Sequence, residues 1–454
     1  MRYAPIHLFA TDTSIDGWFA WSTDTTSLDD GGTTIVPAAT PRMGCWKRIF
    51  QGSLSVKWFG ALGDGVDDND AVEAAVIRAN SLNVPVFFPS GTYRVKYIGL
   101  YSKTVLIGAG KEQTIIRQTS GSTGALVGQR ADVSGVLQYC SIRDLKLLGN
   151  EGAGGTGLCL DSFAHCVFES LVISTFRKKT DRSGVGLKLI NSTGGTHTNN
   201  FLDLIIADCD TGLLMDPKIG VTTACAYNRF FGLKIYQEWD CIVLKNSDQT
   251  NGSKYNIFSG VLLQGTALGN TGVYCEGSSN TFLNFVVDGV PGNHIELRPE
   301  ATGNVFLNPS VTPSQVVNLN TKGGQNTIYG PGIISGGLKQ PFVLSDVLNG
   351  QTTVSLRASG PLNGPEIRLA TDTSSDMWHF AVQHGGESAF LSLANQNQQV
   401  EQWRTDRSSI KYGDLTVNGD VTVHGHVQIR DSHTGALYRL DVKDGALGVE
   451  LSEG

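Results

Sequence analysis

Four acidic residues lie at similar distances after two copies of a repeated asparagine. Asp208 and Asp210 follow one copy by nine and eleven residues, and Glu238 and Asp240 follow the next by ten and twelve. Neighbouring carboxyl groups raise one another's pKa, so one can stay protonated while the other is ionised. Glycoside hydrolysis needs such a pair, a proton donor and a nucleophile or base. The sequence therefore predicts Glu238 as the general acid and Asp208 or Asp240 as the nucleophile or base.

Aromatic and polar residues near these acids predict contacts with a sugar polymer. The run Tyr-Gln-Glu-Trp-Asp places two aromatic rings beside the acids, and such rings stack on sugar faces. The expected substrate-binding residues are Asp210, Tyr236, Trp239, His197, Tyr255, Gln264 and Asp288. Asp288 or Glu296 is the reserve candidate for the second carboxylate. Alternation along the coil predicts that one sheet projects Tyr236, Gln264 and Asp288 outward and another projects Lys188, Tyr274 and Glu296. The plain alternative is that acids at turns are only solvated, because turn geometry favours aspartate.

A repeat predicts the elements that would align these residues. Asparagine, any residue, then a large apolar residue recurs at spacings of 29, 28, 24, 24 and 22 residues, beginning at Asn199, Asn228, Asn256, Asn280, Asn304 and Asn326. A repeat of that length is too short to bury its own apolar face, and it gains a core only by stacking on its neighbours. The repeat therefore predicts a solenoid whose successive turns bring distant acids into register.

A second marker between the asparagines predicts short strands. A small residue followed by apolar, any and apolar residues recurs, as at residues 157–160 and 186–189. This alternation has the period of a β-strand, so each repeat carries at least two strands and the solenoid is a parallel β-helix. Cys140 and Cys166 fit the asparagine position and extend the ladder to eight members. Asp203 falls on a corner position, which favours a structural role.

Residues 56–95 are the most specific stretch of the chain. Gly63-Asp64-Gly65 predicts a turn, and Asp70 with Glu73 predicts an N-cap and its capping-box partner for a helix with an apolar face. Such a helix would cover the open first coil of the solenoid. The stretch closely resembles the pectate-lyase-like segment that opens many phage tailspikes and related β-helix proteins. The resemblance covers roughly residues 30–330.

The resemblance implies an all-β chain with a right-handed parallel β-helix. It also implies a homotrimer on a phage tail that cuts bacterial surface polysaccharide, capsule or O-antigen, after synthesis in the bacterial cytoplasm. The predicted domains are a neck over 1–50, the capping helix and β-helix over 51–340, a small β-sandwich over 341–410 and a trimerisation stem over 411–454. The stem follows from apolar rows repeated every six residues from 415 to 429, which three chains can bury about a common axis. The short neck favours attachment through an adaptor protein.

Composition and charge narrow the function further. The net charge of −7 over 454 residues argues against nucleic acid or an anionic membrane as the partner. No apolar run approaches the ~20 residues of a membrane helix, and no secretory stretch opens the chain. Eight cysteines without a CxxC pair predict buried reduced thiols. No cofactor and no metal are expected, because Asp64, Asp67 and Asp68 lack the EF-hand spacing.

Other functions stay open at this point. A polysaccharide lyase would hold an acidic sugar with a basic loop and abstract a proton with a histidine. The candidates are Arg177, Lys178, Lys179, Arg182, His165 and His197. An esterase is a further possibility, although no GxSxG motif is present. A spike that binds polysaccharide without cleaving it would not need two carboxylates one coil apart.

Overall fold

The computed structural model describes residues 5–9, 15–39, 43–237, 239–246, 252–265, 269–319 and 326–329, and seven further strands between 366 and 451. The chain divides into two compact units, residues 1–340 and 341–454. The first unit contains a small antiparallel sheet, one α-helix and a long parallel β-helix.

The N-terminal sheet has four antiparallel strands, which are Ile6–Leu8, Gly17–Ser22, Thr34–Ile35 and Cys45–Ile49. The side chain of Arg48 holds this sheet against the next segment. Its guanidinium lies 4.6 Å from the ring centres of both Phe19 and Trp58, and it donates a hydrogen bond to the carbonyl of Gly32. Phe19 is buried beneath it. The sheet is therefore joined to the start of the β-helix by cation–π contacts.

An α-helix, Asn69–Leu82, follows the 3₁₀ turn Val56–Phe59. Its face of Val72, Ala75, Val76 and Ala79 is buried in the core that continues into the β-helix, as the capping role requires. The predicted N-cap at Asp70 is wrong by two residues, because Asp68 precedes the first helical residue. The Asp68 carboxylate makes no cap hydrogen bond, since it accepts the N–H groups of the preceding turn at 2.6 and 3.2 Å.

Parallel strands form the shaft, and the largest sheet has seventeen of them. They are Leu54–Ser55, Asp64–Asp67, Val86–Phe88, Gly91–Val95, Val105–Gly108, Thr114–Gln118, Ser141–Leu148, Val167–Ser174, Asn200–Ala207, Arg229–Phe231, Lys234–Gln237, Ile257–Ser259, Leu262–Gly265, Thr281–Leu283, Val286–Asp288, Val305–Leu307 and Thr327–Tyr329. Three middle coils each contribute one strand of eight residues, Ser141–Leu148, Val167–Ser174 and Asn200–Ala207. The coils before and after them each contribute two shorter strands at the same level.

Two smaller parallel sheets accompany the largest one, and the smaller of them has strands in only five of the described coils. The nine-stranded sheet contains Ile98–Leu100, Ala125–Gln129, Thr156–Asp161, Val185–Ile190, Thr211–Met215, Asp240–Leu244, Thr271–Cys275, Asn293–Leu297 and Val316–Asn318. The five-stranded sheet contains Leu137–Gln138, Phe163–Ala164, Thr196–His197, Cys225–Ala226 and Ser253–Lys254. A 3₁₀ turn, Pro313–Gln315, precedes the last strand of the nine-stranded sheet. The predicted parallel β-helix is confirmed.

The repeated asparagines form a buried ladder along one corner. Each side-chain Nδ2 donates to the Oδ1 of the next asparagine at 2.9 to 3.1 Å, from Asn199 through to Asn326. Cys166 and Cys140 continue the ladder, because the N–H of Cys166 donates to Asn199 and that of Cys140 to the sulfur of Cys166. Stacked phenylalanine rings follow the ladder inside the core at centroid distances of 4.4 to 5.1 Å. This corner fixes the vertical register of the coils.

Left-handed residues make another corner. Asp203 has φ of 48°, and the same position is held in other coils by Asp144, Ser170, Gly232, Asn284 and Asn308, all with positive φ. Asp203 also forms an ion pair with Lys111 at 2.7 Å. These are residues that adopt this conformation at low cost or hydrogen-bond locally. The predicted structural role of Asp203 agrees with this placement.

The second unit contains two antiparallel sheets among its described strands. One has four strands, Glu366–Ala370, Met377–Gly385, Ser388–Asn395 and Gln398–Thr405, and the other has three, Val427–Arg430, Leu437–Lys443 and Ala446–Leu451. Most of the six-residue repeat that predicted a trimerisation stem lies outside the described residues. Among the described residues no disulfide joins any of the eight cysteines, and seven of them are buried. In the described part of the chain, no helix is long and apolar enough to cross a membrane.

Candidate active site

The site is built at the corner that leads into the nine-stranded sheet. We call residues 208–210 and 237–240 the carboxylate corner. Asp240 is the first residue of its strand and is level with Thr211 in the coil before and Thr271 in the coil after. Its N–H donates to the carbonyl of Asp210 at 3.1 Å, and its Oδ1 accepts a hydrogen bond from Asn270 at 3.1 Å. The strand start thus holds the Asp240 carboxyl in one place.

The surroundings of Asp240 favour its protonated form. Burial raises the pKa of the Asp240 carboxyl, and the charge of Glu296 acts in the same direction. Hydrogen bonds from Asn270 and Thr271 and the charge of Arg182 oppose that rise without cancelling it. A raised pKa favours the protonated form of a carboxyl group, and a general acid acts in that form.

An arginine and a tryptophan lie beside this carboxyl. The guanidinium carbon of Arg182 is 3.0 Å from the ring centre of Trp239, the residue before Asp240. Arg182 is exposed and belongs to the basic loop considered for a lyase, whereas Trp239 is half-buried. The structure therefore brings together Trp239 and Asp240, which the sequence placed in one site, and adds Arg182 from a loop two coils earlier in the chain.

Asp210 lies under the site and does not face it. It is only 4% exposed, and one carboxylate oxygen accepts the N–H groups of Lys178 and Gly184 at 2.7 and 2.8 Å. A carboxylate that is buried and held by backbone donors in the loop above it is not accessible to a sugar hydroxyl. The prediction of Asp210 as a substrate-binding residue is corrected on this ground.

Asp208 occupies the exposed bend of the carboxylate corner. Its φ is 52°, and its N–H donates to the carbonyl of Tyr236 at 3.1 Å. Ala207 pairs with Tyr236, and Thr211 pairs with Asp240. Three residues separate the two paired positions in each coil, so Asp208 is level with residue 237. Counting residues from the repeated asparagine, which placed Asp208 and Asp210 beside Glu238 and Asp240, was therefore wrong by one residue. Glu238 lies outside the described residues.

The other predicted substrate contacts lie on different faces. Tyr236, Gln264 and Asp288 form one exposed vertical column on the seventeen-stranded sheet, on the far side of the corner from the strand of Asp240. The outward projection expected for this column agrees with the pairing. Because the nine-stranded sheet begins only after the bend, these three side chains do not share a face with Asp240.

His197 and Tyr255 lie along the five-stranded sheet, at the edge next to the asparagine ladder. Burial and the neighbouring His165 lower the pKa of His197. Tyr255 is exposed and stacks on Tyr227 at a centroid distance of 5.2 Å. Neither residue belongs to the carboxylate corner, and the same holds for His165, the other candidate base of a lyase.

The sequence reasoning missed a charged row on the outer face of the nine-stranded sheet. It comprises Asp216, Lys245, Glu276 and Arg298, each of which directly follows the last residue of a strand. Lys188 and Lys245 contact Asp216 at 3.2 and 3.7 Å. The position after each apolar marker was the signal that would have revealed this row.

Two residues that were expected to project outward connect with that row. The hydroxyl of Tyr274 donates to Glu276 at 2.8 Å, and burial raises the pKa of Tyr274 to about 12. Glu296 accepts hydrogen bonds from Arg298 at 2.8 Å and from Asn293 at 2.9 Å. The polar face thus extends from Asp240 over the following coils. Among the described residues no group of three or more histidine, cysteine or acidic residues is arranged to hold a metal ion.

Family models and relatives agree with this architecture. Residues 53–258 match the model described as rhamnogalacturonase A/epimerase, pectate lyase-like, and residues 6–51 match the phage tail protein small four-stranded β-sheet domain. Residues 53–258 are therefore similar to pectate-lyase-like proteins, and the structure shows that they form part of a parallel β-helix. More particularly, the chain joins that β-helix to a phage tail domain, and the resemblance seen in the sequence is confirmed.

Curated relatives match only part of the chain. A mannuronan C5-epimerase of Azotobacter vinelandii is 38% identical over 107 residues, which are 21% of this chain and 12% of the epimerase. The pre-neck appendage protein of Bacillus phage phi29 is 46% identical over 72 residues, 15% of this chain and 8% of that protein. The matched stretch is thus about an eighth or less of the length of these relatives.

Two of the similar solved structures come from phages. The ORF18 protein of Geobacillus virus E2 has a TM-score of 0.49 at 16% identity, covering 90% of this chain and 91% of that one. The enzymatically active domain of tailspike protein 2 from bacteriophage CBA120 has a TM-score of 0.46 at 13% identity, covering 97% of this chain and 80% of that one.

Proposed function

We propose that this chain is a phage tailspike that cleaves a bacterial surface polysaccharide at the carboxylate corner. The observation that carries the proposal is Asp240, a half-buried carboxyl with a raised pKa at the edge of a polar sheet face. Long connections border that face at the other end of its strands, over residues 191–195 and 216–224. An open sheet face flanked by loops can accommodate a polymer better than a small molecule.

The chemistry assigned to the site is general acid catalysis of glycoside hydrolysis. Asp240 donates its proton to the leaving oxygen, and Asp208 or Glu238, the acids predicted at the same corner, supplies the second carboxylate. Glu296 lies two coils and three strand positions from Asp240, roughly 14 Å by strand geometry, which exceeds the separation used in glycoside hydrolysis. The variants below rank all four acids.

The test is turnover of capsule or O-antigen preparations, measured as new reducing ends. Replacing Asp240 by Asn removes the proton donor while preserving shape, and it should lower turnover by at least ~10². Glu296→Gln, Glu238→Gln and Asp208→Asn are measured in parallel, and the second carboxylate is the one whose loss is comparably large. Asp203→Asn is the matched control, because Asp203 is another exposed aspartate in the left-handed conformation. Unchanged turnover in Asp240→Asn would remove it from the mechanism.

A lyase acting on an acidic glycan is the second candidate, and Arg182 is the observation that favours it. Arg182 lies beside Asp240, and its exposed neighbour Lys179 adds positive charge. Such charges would neutralise a sugar carboxylate during proton abstraction. A lyase releases an unsaturated product that absorbs in the ultraviolet, whereas a hydrolase gives reducing ends without that absorbance. Binding without either product would instead identify a non-catalytic spike.

The proposal includes assembly and location. A homotrimer on the virion, joined to the tail directly or through an adaptor, would display the β-helix to the host surface. The phage tail domain match at residues 6–51 supports attachment at the N-terminal end. Sedimentation of the full chain should give three times the monomer mass of 48.6 kDa. A monomer would contradict this part alone.

A further inference from the structure

The loop that carries Arg182 is closed by a single buried carboxylate. We call residues 177–184 the clamp loop. Its two ends converge because one oxygen of Asp210 accepts both the N–H of Lys178 and the N–H of Gly184, at 2.7 and 2.8 Å. The N–H of Asp210 in turn donates to the carbonyl of Phe176 at 3.3 Å. One aspartate thus fastens the base of the loop from the coil below.

Contacts within the clamp loop fix its backbone conformation. The N–H of Arg182 donates to the carbonyl of Lys178 at 2.7 Å, and Arg182 has φ of 54°, a conformation that side-chain-bearing residues adopt at a cost. A side chain at Gly184 would collide with the carbonyl oxygen of Phe176, so only glycine fits there. Left-handed backbone of this kind persists where surrounding contacts impose it.

The same aspartate is also connected to the proposed proton donor. The carbonyl of Asp210 accepts the N–H of Asp240, and Arg182 lies over Trp239, the residue before Asp240. Asp210 therefore holds the clamp loop by its side chain and the start of the catalytic strand by its backbone. A displacement of the loop would move a positive charge away from Asp240.

We propose that Asp210 is a positioning residue that sets the place of Arg182 against Trp239 and Asp240 and so tunes the proton donor. The inference rests on the proposed function, because it assigns Asp240 that role. Asp210 touches no substrate in this scheme. Its effect passes through the loop, and Arg182 is the group that transmits it. The charge of Arg182 holds the pKa of Asp240 lower than burial alone would leave it.

Three measurements on the full chain test the proposal. Hydrogen exchange should show the amides of Lys178 and Gly184 protected in the native protein and exposed in Asp210→Ala. The same variant should lower kcat/KM by at least about tenfold, because Arg182 is no longer held in place. The alkaline limb of its pH profile should move to higher pH, since a proton donor is lost as pH rises through its pKa and the departing cation raises that pKa.

A double-mutant cycle separates positioning from a general structural role. Arg182→Ala should shift the alkaline limb in the same direction, and adding Asp210→Ala to it should shift the limb no further. Asp181→Asn, an exposed change within the same loop, should leave the limb where it is. An unmoved limb in Asp210→Ala, or additive shifts in the double variant, would overturn the proposal. If Asp210→Ala does not fold, Asp210→Asn completes the cycle, since its amide oxygen can still accept a weaker hydrogen bond.

The outcomes also distinguish this inference from the function on which it rests. Full turnover in Asp240→Asn would refute Asp240 as the proton donor, whatever the loop does. Retained protection of the Lys178 and Gly184 amides in the Asp210→Ala variant would refute the clamp, even if Asp240 proves essential.

Discussion

The two corners of the β-helix contrast in regularity. The asparagine corner repeats one side chain through six coils, and every ladder amide is buried and hydrogen-bonded to its neighbours. The carboxylate corner repeats nothing: Asp208 and Asp210 in one coil are level with residues 237 and 239 in the next, and a loop from the coil above covers it. Regular stacking stabilises the shaft, and the irregular corner is where the backbone can present different groups.

The comparison predicts that changes at the asparagine corner affect stability more than any change at the carboxylate corner. Asn256 accepts hydrogen bonds from the N–H and Nδ2 of Asn228, and it donates to Asn280 and to the carbonyl of Cys225. Asn256→Ala leaves these buried groups unpaired, and the free energy of unfolding should fall by about 4 kcal/mol. Urea unfolding of the full chain measures it.

The control for that prediction is Asn308, which lies at an exposed corner. Asn308 has φ of 54° and one hydrogen bond, to Asn284 at 2.9 Å. Asn308→Gly keeps the left-handed conformation accessible, so the free energy of unfolding should change by less than about 1 kcal/mol. Equal losses in the two variants would contradict the distinction between a buried ladder and a solvated corner.

A gain of stability should follow from extending the ladder by one amide. Cys166 occupies the ladder position, and its sulfur lies 3.3 Å from the N–H of Cys140 and 4.0 Å from the carbonyl of Leu137. The ladder asparagines bond the equivalent groups, so Cys166→Asn should place an amide on both and raise the free energy of unfolding by about 1 kcal/mol. Thermal or urea unfolding of the variant checks this.

The matched control for the added amide is Cys225, another fully buried cysteine. Its side chain is part of the apolar core, so an asparagine there would bury an amide among apolar groups. Cys225→Asn should destabilise the protein by about 1 to 3 kcal/mol. If both cysteines respond alike, the position in the ladder does not decide the outcome.

The sequence predicted the structural features that depend on its repeat. The parallel β-helix, the amide ladder and the outward column at Tyr236 follow from a periodic pattern, because each coil buries its face only against an equivalent coil. The helix start was missed at Asp68, since its carboxylate bonds a turn on the N-terminal side, which local spacing does not reveal.

The site was predicted in part, for a related reason. Trp239 and Asp240 were placed together because they are adjacent in sequence, whereas the burial of Asp210 depends on a loop more than 25 residues earlier in the chain. Arg182 was assigned to a separate hypothesis for the same reason. Counting from an asparagine locates a coil, but the count drifts by one residue when corners differ, and one residue in a strand reverses the direction of a side chain.

The smallest predicted effect is the contribution of Asp240 to the pH dependence of stability. Burial raises the pKa of Asp240 in the folded chain, so the folded state binds this proton more tightly than the unfolded state. The resulting stabilisation is fully present below the ordinary value of 3.8, and it is lost as pH rises through the raised pKa. Asp240→Asn lacks this dependence, so the wild type should lose stability relative to the variant across that window and then run parallel to it.

Urea unfolding of both proteins from pH 3.5 upward measures this difference. Asp203→Asn again serves as the control, because Asp203 is exposed and its ion pair with Lys111 is a surface contact. A difference that grows in the opposite direction would mean that the hydrogen bonds from Asn270 and Thr271 outweigh burial. Asp240 would then be held as a carboxylate, and its proposed role would change from proton donor to nucleophile or base.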